Sequence, residues 1–172
     1  DNPVARLVYL ALGTLDEGPA GGVTAGRAER LVRGWMKGKG IDEAGMVLDN
    51  GSGLSRRERI SPEQLAQVLR RALASPWSPE FVASFPIAGV DGAMRRRLKD
   101  SPAAGRARIK TGSLRDVSAI AGYVDGPGGE TFVVVAMIHH ELAKGAATRP
   151  VLDALVDAAA RGALRPRGDR PM

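Results

Sequence analysis

The sequence predicts an α/β protein of the α+β type, in which an antiparallel sheet is flanked by helices. Apolar residues recur at helical spacing through most of the chain before Phe85. From Ala107 onward the period changes to two and β-branched residues become frequent, and helical spacing returns from Ala147. Strands that are grouped together in the sequence, with helical segments before and after them, are typical of this fold class.

The N-terminal part of the chain is predicted to contain two amphipathic helices. The first, DNPVARLVYLALG, begins with Asn2 as its cap and Pro3 in the first helical position, and a Gly-rich connection, GPAGG, leads to the second. Each helix has an apolar stripe that is expected to pack in a core: Val4, Leu7, Val8, Ala11 and Leu12 in the first, and Ala28, Leu31, Val32, Trp35 and Met36 in the second.

The middle of the chain alternates short structured segments with loops. Positions 46–48 are predicted as a short strand that runs into a tight loop, DNGSGLSR, at 49–56. A capping box, SPEQ from Ser61, starts the next helix, and a shorter helix starts at Ser78. The segment FPIAGVDGAM from Phe85 is predicted to be a loop, and loops of this kind often carry functional residues.

The C-terminal part is predicted to form the sheet and the helix that covers it. Candidate strands lie at 107–111, 117–124 and 131–138, with DGPGG as the hairpin turn between the last two. Positions 147–161 return to helical spacing and are expected to pack back on the sheet. Residues 161–172 are charged and contain proline and glycine, so we expect a flexible tail there.

Composition excludes several classes of function. The formal net charge is +6, but the basic residues cluster in segments 94–99 and 161–172 and aromatic residues make up only 4%, which argues against nucleic-acid binding. Cysteine is absent, and the only histidines, His139 and His140, are adjacent and would point to opposite faces of a strand. We therefore expect no metal site and no cofactor.

The segment KTGS, Lys110 to Ser113, combines a positive charge, two hydroxyls and a residue without a side chain at the end of a predicted strand. Strand alternation places Lys110 and Gly112 on one face and Thr111 and Ser113 on the other. A glycine next to an open strand edge lets a peptide-like ligand approach and pair with the backbone, while the lysine and hydroxyls bind a carboxylate. These are the parts of an acyl-transfer site, although KTG alone is also common at strand ends.

Three segments in this order carry a more specific resemblance: DNGSGLSR at 49–56, FPIAGVDGAMRRRL at 85–98 and KTGSLRDVSAIAGYV at 110–124. The sequence resembles the class C low-molecular-mass penicillin-binding proteins, the D-alanyl-D-alanine carboxypeptidase/endopeptidase family, up to about Leu155. The resemblance implies that residues 1–160 are the C-terminal part of a β-lactamase/transpeptidase-like domain. It also implies an extracytoplasmic serine hydrolase that acts on peptidoglycan stem peptides through an acyl-enzyme and is acylated by β-lactam antibiotics.

The family nucleophile is the serine of an S-x-x-K motif, and a Ser-Asp-Asn triplet accompanies it. Asp1-Asn2 matches that triplet without its serine. None of the nine serines is followed by lysine three residues on: Ser52, Ser55, Ser61, Ser75, Ser78, Ser84, Ser101, Ser113 and Ser118. We therefore expect an upstream part of the same polypeptide to carry S-x-x-K, and this chain alone to be inactive.

The resemblance assigns roles to the site residues that are present. Asn2 would orient the catalytic lysine and hydrogen-bond the substrate amide, and Lys110 would supply a positive charge. Thr111 and Ser113 would hydrogen-bond the substrate carboxylate, and the backbone N–H of Ser113 would belong to the oxyanion hole. Arg56 resembles a family arginine near the same carboxylate, but a loop arginine paired with an acidic neighbour is an equally good interpretation.

Three other functions stay open at this level. The chain could be a noncatalytic module that binds a peptide or partner through KTGS as a carboxylate cradle, or a basic interaction domain. Among enzymes, the alternative is a fragment similar to class A β-lactamases, which share KTG chemistry. The DNGSGLSR segment argues against this last alternative.

Overall fold

The computed structural model describes residues 1–16, 24–143 and 145–164. The chain divides into two compact units, Asp1–Val68 and Leu69–Met172. The predicted GPAGG connection lies outside the described residues, as does most of the predicted tail, of which only 161–164 are described. No helix in the described part of the chain is both long and apolar enough to cross a membrane.

The first unit is helical. It contains α1 (Asn2–Leu12), a 3₁₀ turn (Gly13–Leu15), α2 (Thr24–Gly38) and the start of α3 (Pro62–Leu73). Its core is formed by the buried Met36, Ile41 and Met46, with Val32, Leu48 and Val68 packed against them. This core confirms that part of the α2 stripe is internal, but Trp35 is 44% exposed.

Helix α1 differs from its prediction in two ways. The cap is Asp1, whose side chain accepts a hydrogen bond from the N–H of Val4 (3.2 Å), so Asn2 is already helical. The predicted apolar stripe is exposed, because Val4 and Leu7 are 53% and 65% accessible, whereas the buried residue is Tyr9. The Tyr9 hydroxyl donates to the Ala25 carbonyl (3.2 Å), which fastens α1 to α2.

The predicted short strand at 46–48 is reduced to a single bridge between Val47 and Arg59. The capping box of α3 is confirmed, since the Ser61 hydroxyl accepts from the N–H of Gln64 (3.1 Å) and the Gln64 side chain accepts from the N–H of Ser61 (2.9 Å). The Gln64 amide also donates to the carbonyls of Asp42 and Ala44, which holds the preceding turn.

The second unit contains the sheet. After α4 (Ser78–Ala83) and a 3₁₀ turn (Gly92–Met94), the strands β1 (Ala107–Leu114), β2 (Val117–Asp125) and β3 (Thr131–His139) form an antiparallel sheet in the order β1-β2-β3. Helix α5 (Gly145–Ala160) follows. Helix α4 starts at Ser78, as predicted, and has no side-chain cap.

One face of the sheet packs on α5 and forms the core of this unit. Ala107 and Ile109 of β1 and Ile120 and Val124 of β2 are almost completely buried there, and α5 contributes Leu152, Val156, Ala159 and Ala160. These strand residues are spaced by two or four positions, so the period-two pattern identifies the core face. The alternation also places Thr111 and Ser113 on that face and Lys110 on the opposite one.

Candidate active site

The KTGS segment lies entirely within β1, the edge strand of the sheet. The N–H of Ile109 and the C=O of Ala107 hydrogen-bond to segment 86–88 on the outer side of β1, both at 2.8 Å. Alternate residues of a strand direct their backbone groups to the same side, so the N–H groups of Thr111 and Ser113 point to this outer edge as well. No described strand pairs with the edge beyond Ile109, so it is open to a ligand backbone.

The side chains of the segment point in different directions. Lys110 is exposed, and its Nζ donates to the Thr111 carbonyl (2.6 Å), so the ammonium group bends toward the outer edge of the strand. Thr111 and Ser113 instead line a cavity of about 350 Å³ on the α5 face. The segment therefore presents a cation at the edge and two hydroxyls on one face.

Gly112 is not required by the fold. Its backbone does not adopt a positive φ, and a Cβ atom at this position would meet only the Cβ of Ala119, at an ordinary 3.5 Å. Gly122 on β2 is the contrast, because a Cβ there would lie 2.0 Å from the carbonyl oxygen of Arg108 at a φ of 159°. The absence of a side chain at 112 leaves open space on the Lys110 face, where a ligand backbone can approach.

Two buried hydroxyls support the end of β1 and were not identified from the sequence. Ser118 pairs with Ser113 in the β1–β2 register, and its hydroxyl donates to the carbonyl of Ala143 (3.2 Å). Thr148 on α5 donates to the Ser118 oxygen (2.8 Å). The sequence signal was a lone serine in an otherwise apolar strand, since a buried hydroxyl needs a partner.

The segment between the 3₁₀ turn and β1 is fastened to α5 by two polar contacts. Arg97 donates to Asp153 through Nε and Nη2, at 3.0 and 2.6 Å. Ser101 donates to Asp157 (2.6 Å), which also accepts from Arg161 (2.6 Å). The hydrogen bond from Arg161, followed by that from Ser101, lowers the pKa of the Asp157 carboxyl below its usual value.

The DNGSGLSR loop belongs to the first unit and is ordered by its own small polar residues. The Asn50 side chain accepts from the N–H of Ser52 (3.0 Å), and the hydroxyls of Ser52 and Ser55 accept from backbone N–H groups two residues on. Both serines therefore order the loop through their side chains. The Glu58 carboxylate accepts from the N–H of Gly51 (3.2 Å).

Asn2 and Arg56 also belong to the first unit, and both are exposed. Asp49, an acidic residue of the same loop as Arg56, lies 3.7 Å from the guanidinium of Arg57. The structure thus brings Thr111, Gly112 and Ser113 to one cavity with Lys110 at the strand edge, and the convergence of Asn2 and Arg56 with them stays a prediction. No group of three or more His, Asp or Glu side chains that could hold a metal ion occurs in residues 1–16, 24–143 and 145–164.

The antiparallel sheet with KTGS on its edge strand and a C-terminal helix on one face has the fold of solved penicillin-binding proteins. Penicillin binding protein 4 (dacB) from Haemophilus influenzae, solved with a β-lactam, superimposes with a TM-score of 0.77 at 26% identity, over 90% of this chain and 37% of that one. Bd3459, a peptidoglycan endopeptidase from Bdellovibrio bacteriovorus, shares the fold with a TM-score of 0.68 at 20% identity, over 92% of this chain and 40% of that one.

The chain belongs to the D-Ala-D-Ala carboxypeptidase 3 (S13) family, whose model matches residues 1–161. This confirms the resemblance that the three sequence segments indicated. A D-alanyl-D-alanine carboxypeptidase from Actinomadura sp. is 36% identical over 144 residues, which cover 80% of this chain and 26% of the relative. The carboxypeptidase DacB from Mycolicibacterium smegmatis is 34% identical over 70% of this chain and 27% of its own length. The chain thus spans about a quarter of these two relatives.

Proposed function

We propose that residues 1–160 are the C-terminal part of a serine D-alanyl-D-alanine carboxypeptidase/endopeptidase that acts on peptidoglycan stem peptides and is acylated by β-lactams. The observation that carries the proposal is the KTGS segment on an open strand edge, with Lys110 bent toward that edge, in a chain of the S13 family. The activity for which the Actinomadura relative is named, D-alanyl-D-alanine carboxypeptidase, is consistent with this chemistry. The stem peptide lies outside the cytoplasm, so we propose an extracytoplasmic location.

The substrate would lie along the outer edge of β1 as an additional strand. Backbone pairing would use the outward groups of Thr111 and Ser113, and the absence of a side chain at Gly112 would admit the peptide. The ammonium of Lys110 and the hydroxyls of Thr111 and Ser113 would bind the carboxylate of the terminal D-alanine. The N–H of Ser113 would donate to the oxyanion, whose charge develops only in the transition state.

The nucleophile would come from an S-x-x-K motif upstream in the same polypeptide. Its serine oxygen would attack the carbonyl carbon before the terminal D-alanine, the new C–O bond would form, and the amide C–N bond would break with transfer of the serine proton to the leaving amine. Water would then hydrolyse the ester. Asn2 would orient the lysine of that motif, and Arg56 would contribute to carboxylate binding.

Acylation by a fluorescent penicillin tests the proposal. The complete polypeptide is expected to be labelled on its upstream serine, and this chain alone is expected to stay unlabelled. Lys110→Ala should lower the second-order acylation rate of the complete protein severely, and Lys110→Arg should retain part of it because the charge remains. Lys99→Ala, which removes another exposed lysine of the same unit, is the matched control and should acylate normally.

Two results would contradict the proposal. A Lys110→Ala protein that melts like the wild type and acylates at the wild-type rate would show that KTGS is an ordinary strand end. A complete polypeptide that binds D-alanyl peptides without ever forming an acyl adduct would favour a noncatalytic binding module instead.

A further inference from the structure

The cavity on the α5 face carries a second feature that the proposed acyl-transfer chemistry does not use. Besides the hydroxyls of Thr111 and Ser113, it is lined by the exposed Arg95 and Arg96 and by Arg149 from the first turns of α5. Arg95 and Arg149 are more than fifty residues apart in the sequence, so the fold brings these cations to one concave surface.

Among the described residues, these three arginines have no carboxylate partner of the kind that balances other arginines of the same unit. Arg97, their neighbour, is paired with Asp153. In the part of the chain that the structure describes, no carboxylate forms an ion pair with Arg95, Arg96 or Arg149. Guanidinium groups that share one cavity and have no acidic partner among the described residues repel one another, which favours the binding of an anion.

The position of Arg149 strengthens this argument. Its guanidinium folds back beside Gly145, the first residue of α5, with Nε 3.5 Å from the point where a Cβ of residue 145 would lie. A cation in the first turn of a helix is electrostatically unfavourable, since the positive end of the helix dipole lies there. An anion between Arg149 and the other two arginines would remove this unfavourable interaction.

We propose that this cavity binds phosphate or a phosphate monoester. A phosphate monoester carries about −1.5 to −2 charges near neutral pH and has three acceptor oxygens, which matches three guanidinium groups better than a singly charged carboxylate does. The volume of about 350 Å³ also leaves room for the group attached to the phosphate, and lies within the range of about 300–1,000 Å³ for small-molecule sites.

Calorimetric titration of the 172-residue chain with inorganic phosphate, at constant ionic strength, tests the proposal without any need for catalytic activity. We expect saturable binding at one site per chain, weakened about tenfold by Arg96→Ala and by Arg149→Ala. Arg71→Ala removes an exposed arginine of α3, outside the cavity, and should leave the affinity unchanged. Glycerol phosphate as a second titrant distinguishes inorganic phosphate from a phosphate monoester as the ligand. If glycerol phosphate binds more tightly than inorganic phosphate, the site is assigned to a monoester.

Amide chemical shifts of the wild-type chain give a second measurement that needs no variant. Phosphate should shift the signals of residues 111–113 and of Gly145 together. The proposal is overturned if succinate binds as tightly as phosphate, if potassium chloride of equal ionic strength causes the same shifts, or if Arg71→Ala weakens binding as much as Arg149→Ala. A failure of the penicillin experiment would not change any of these outcomes, so the two proposals can fail separately.

Discussion

Replacing Gly112 with alanine should separate the requirements of the fold from those of the proposed site. The new Cβ would meet only the Cβ of Ala119, at 3.5 Å, and the backbone conformation is one that alanine adopts without strain. Alanine also reduces the conformational entropy of the unfolded chain. The free energy of unfolding should therefore rise by about 0.4–1 kcal/mol or stay unchanged.

The acylation rate of the complete enzyme should respond in the opposite direction. The methyl group would project onto the face that holds Lys110, where the proposed substrate backbone approaches the edge of β1. A displacement of the reacting carbonyl by about 1 Å is enough to lower a rate about 10²-fold. We expect a loss of this size in the second-order rate with a fluorescent penicillin.

Two other glycines serve as controls in the same assays. Gly34 lies in α2, where an added methyl group would meet no atom within 4 Å beyond the adjacent residues and the local helix backbone, so Gly34→Ala should leave acylation unchanged. Gly122→Ala should disrupt the sheet, because its Cβ would lie 2.0 Å from a carbonyl oxygen. A Gly112→Ala enzyme that acylates normally, or one that unfolds as readily as Gly122→Ala, would refute the reasoning.

Three further outcomes concern stability and are measured by urea unfolding. Tyr123→Phe should cost about 1–3 kcal/mol, because the buried hydroxyl donates to a backbone carbonyl at 2.8 Å that would lose its partner; an unchanged midpoint would contradict this. Because the pKa of Asp157 is lowered in the folded state, its ionised carboxylate contributes to the free energy of unfolding. This contribution is present above the unfolded-state pKa and is lost as the pH falls through the folded-state pKa. Asp157→Asn should therefore reduce the loss of stability in acid, and an identical acid profile would count against it. Gly51→Ala should destabilise more than Gly53→Ala, since both have positive φ but only the former would clash, at 2.3 Å, with Tyr9; equal effects would show that the clash is relieved.

The sheet could be predicted because its pattern is local. Alternating β-branched residues located all three strands, and DGPGG located the turn, where the N–H of Gly126 donates to the carbonyl of Glu130 (2.8 Å). The periodic pattern alone ended the first candidate strand at residue 111, since Gly112 and Ser113 are weak strand formers, and strand alternation was extended through KTGS only because of its proposed role. They are held in the strand by pairing with Ala119 and Ser118, which is a tertiary effect.

The first unit shows where local patterns are insufficient. Asp and Asn are almost equally good helix caps, so DNP does not determine whether Asp1 or Asn2 caps α1. The apolar stripe of α1 predicted a buried face, yet the contact with α2 is made by Tyr9. An apolar stripe in the sequence shows that one face of a helix is apolar, but it does not identify the element that packs against that face.

The site was predictable in part for a related reason. KTGS is contiguous, so strand alternation alone placed Thr111 and Ser113 on one face. The arginines of the cavity come from a loop and from α5, and whether each has a counterion depends on which acidic residues the fold places nearby. Asp153 could have paired with any of the three consecutive arginines, and only the structure shows that it pairs with Arg97.

The two halves of β1 have different physical roles, and this makes the proposed variants interpretable. Ala107 and Ile109, in the first half, are fully buried against α5, so this half contributes most of the strand's apolar burial. The KTGS half is largely exposed and contributes little to the core. Substitutions in the KTGS half should therefore change ligand binding and acylation with small effects on the free energy of unfolding. Truncation of Ile109 should instead lower the free energy of unfolding strongly. A site at the end of a well-anchored strand is held rigidly without its own side chains having to supply the stability.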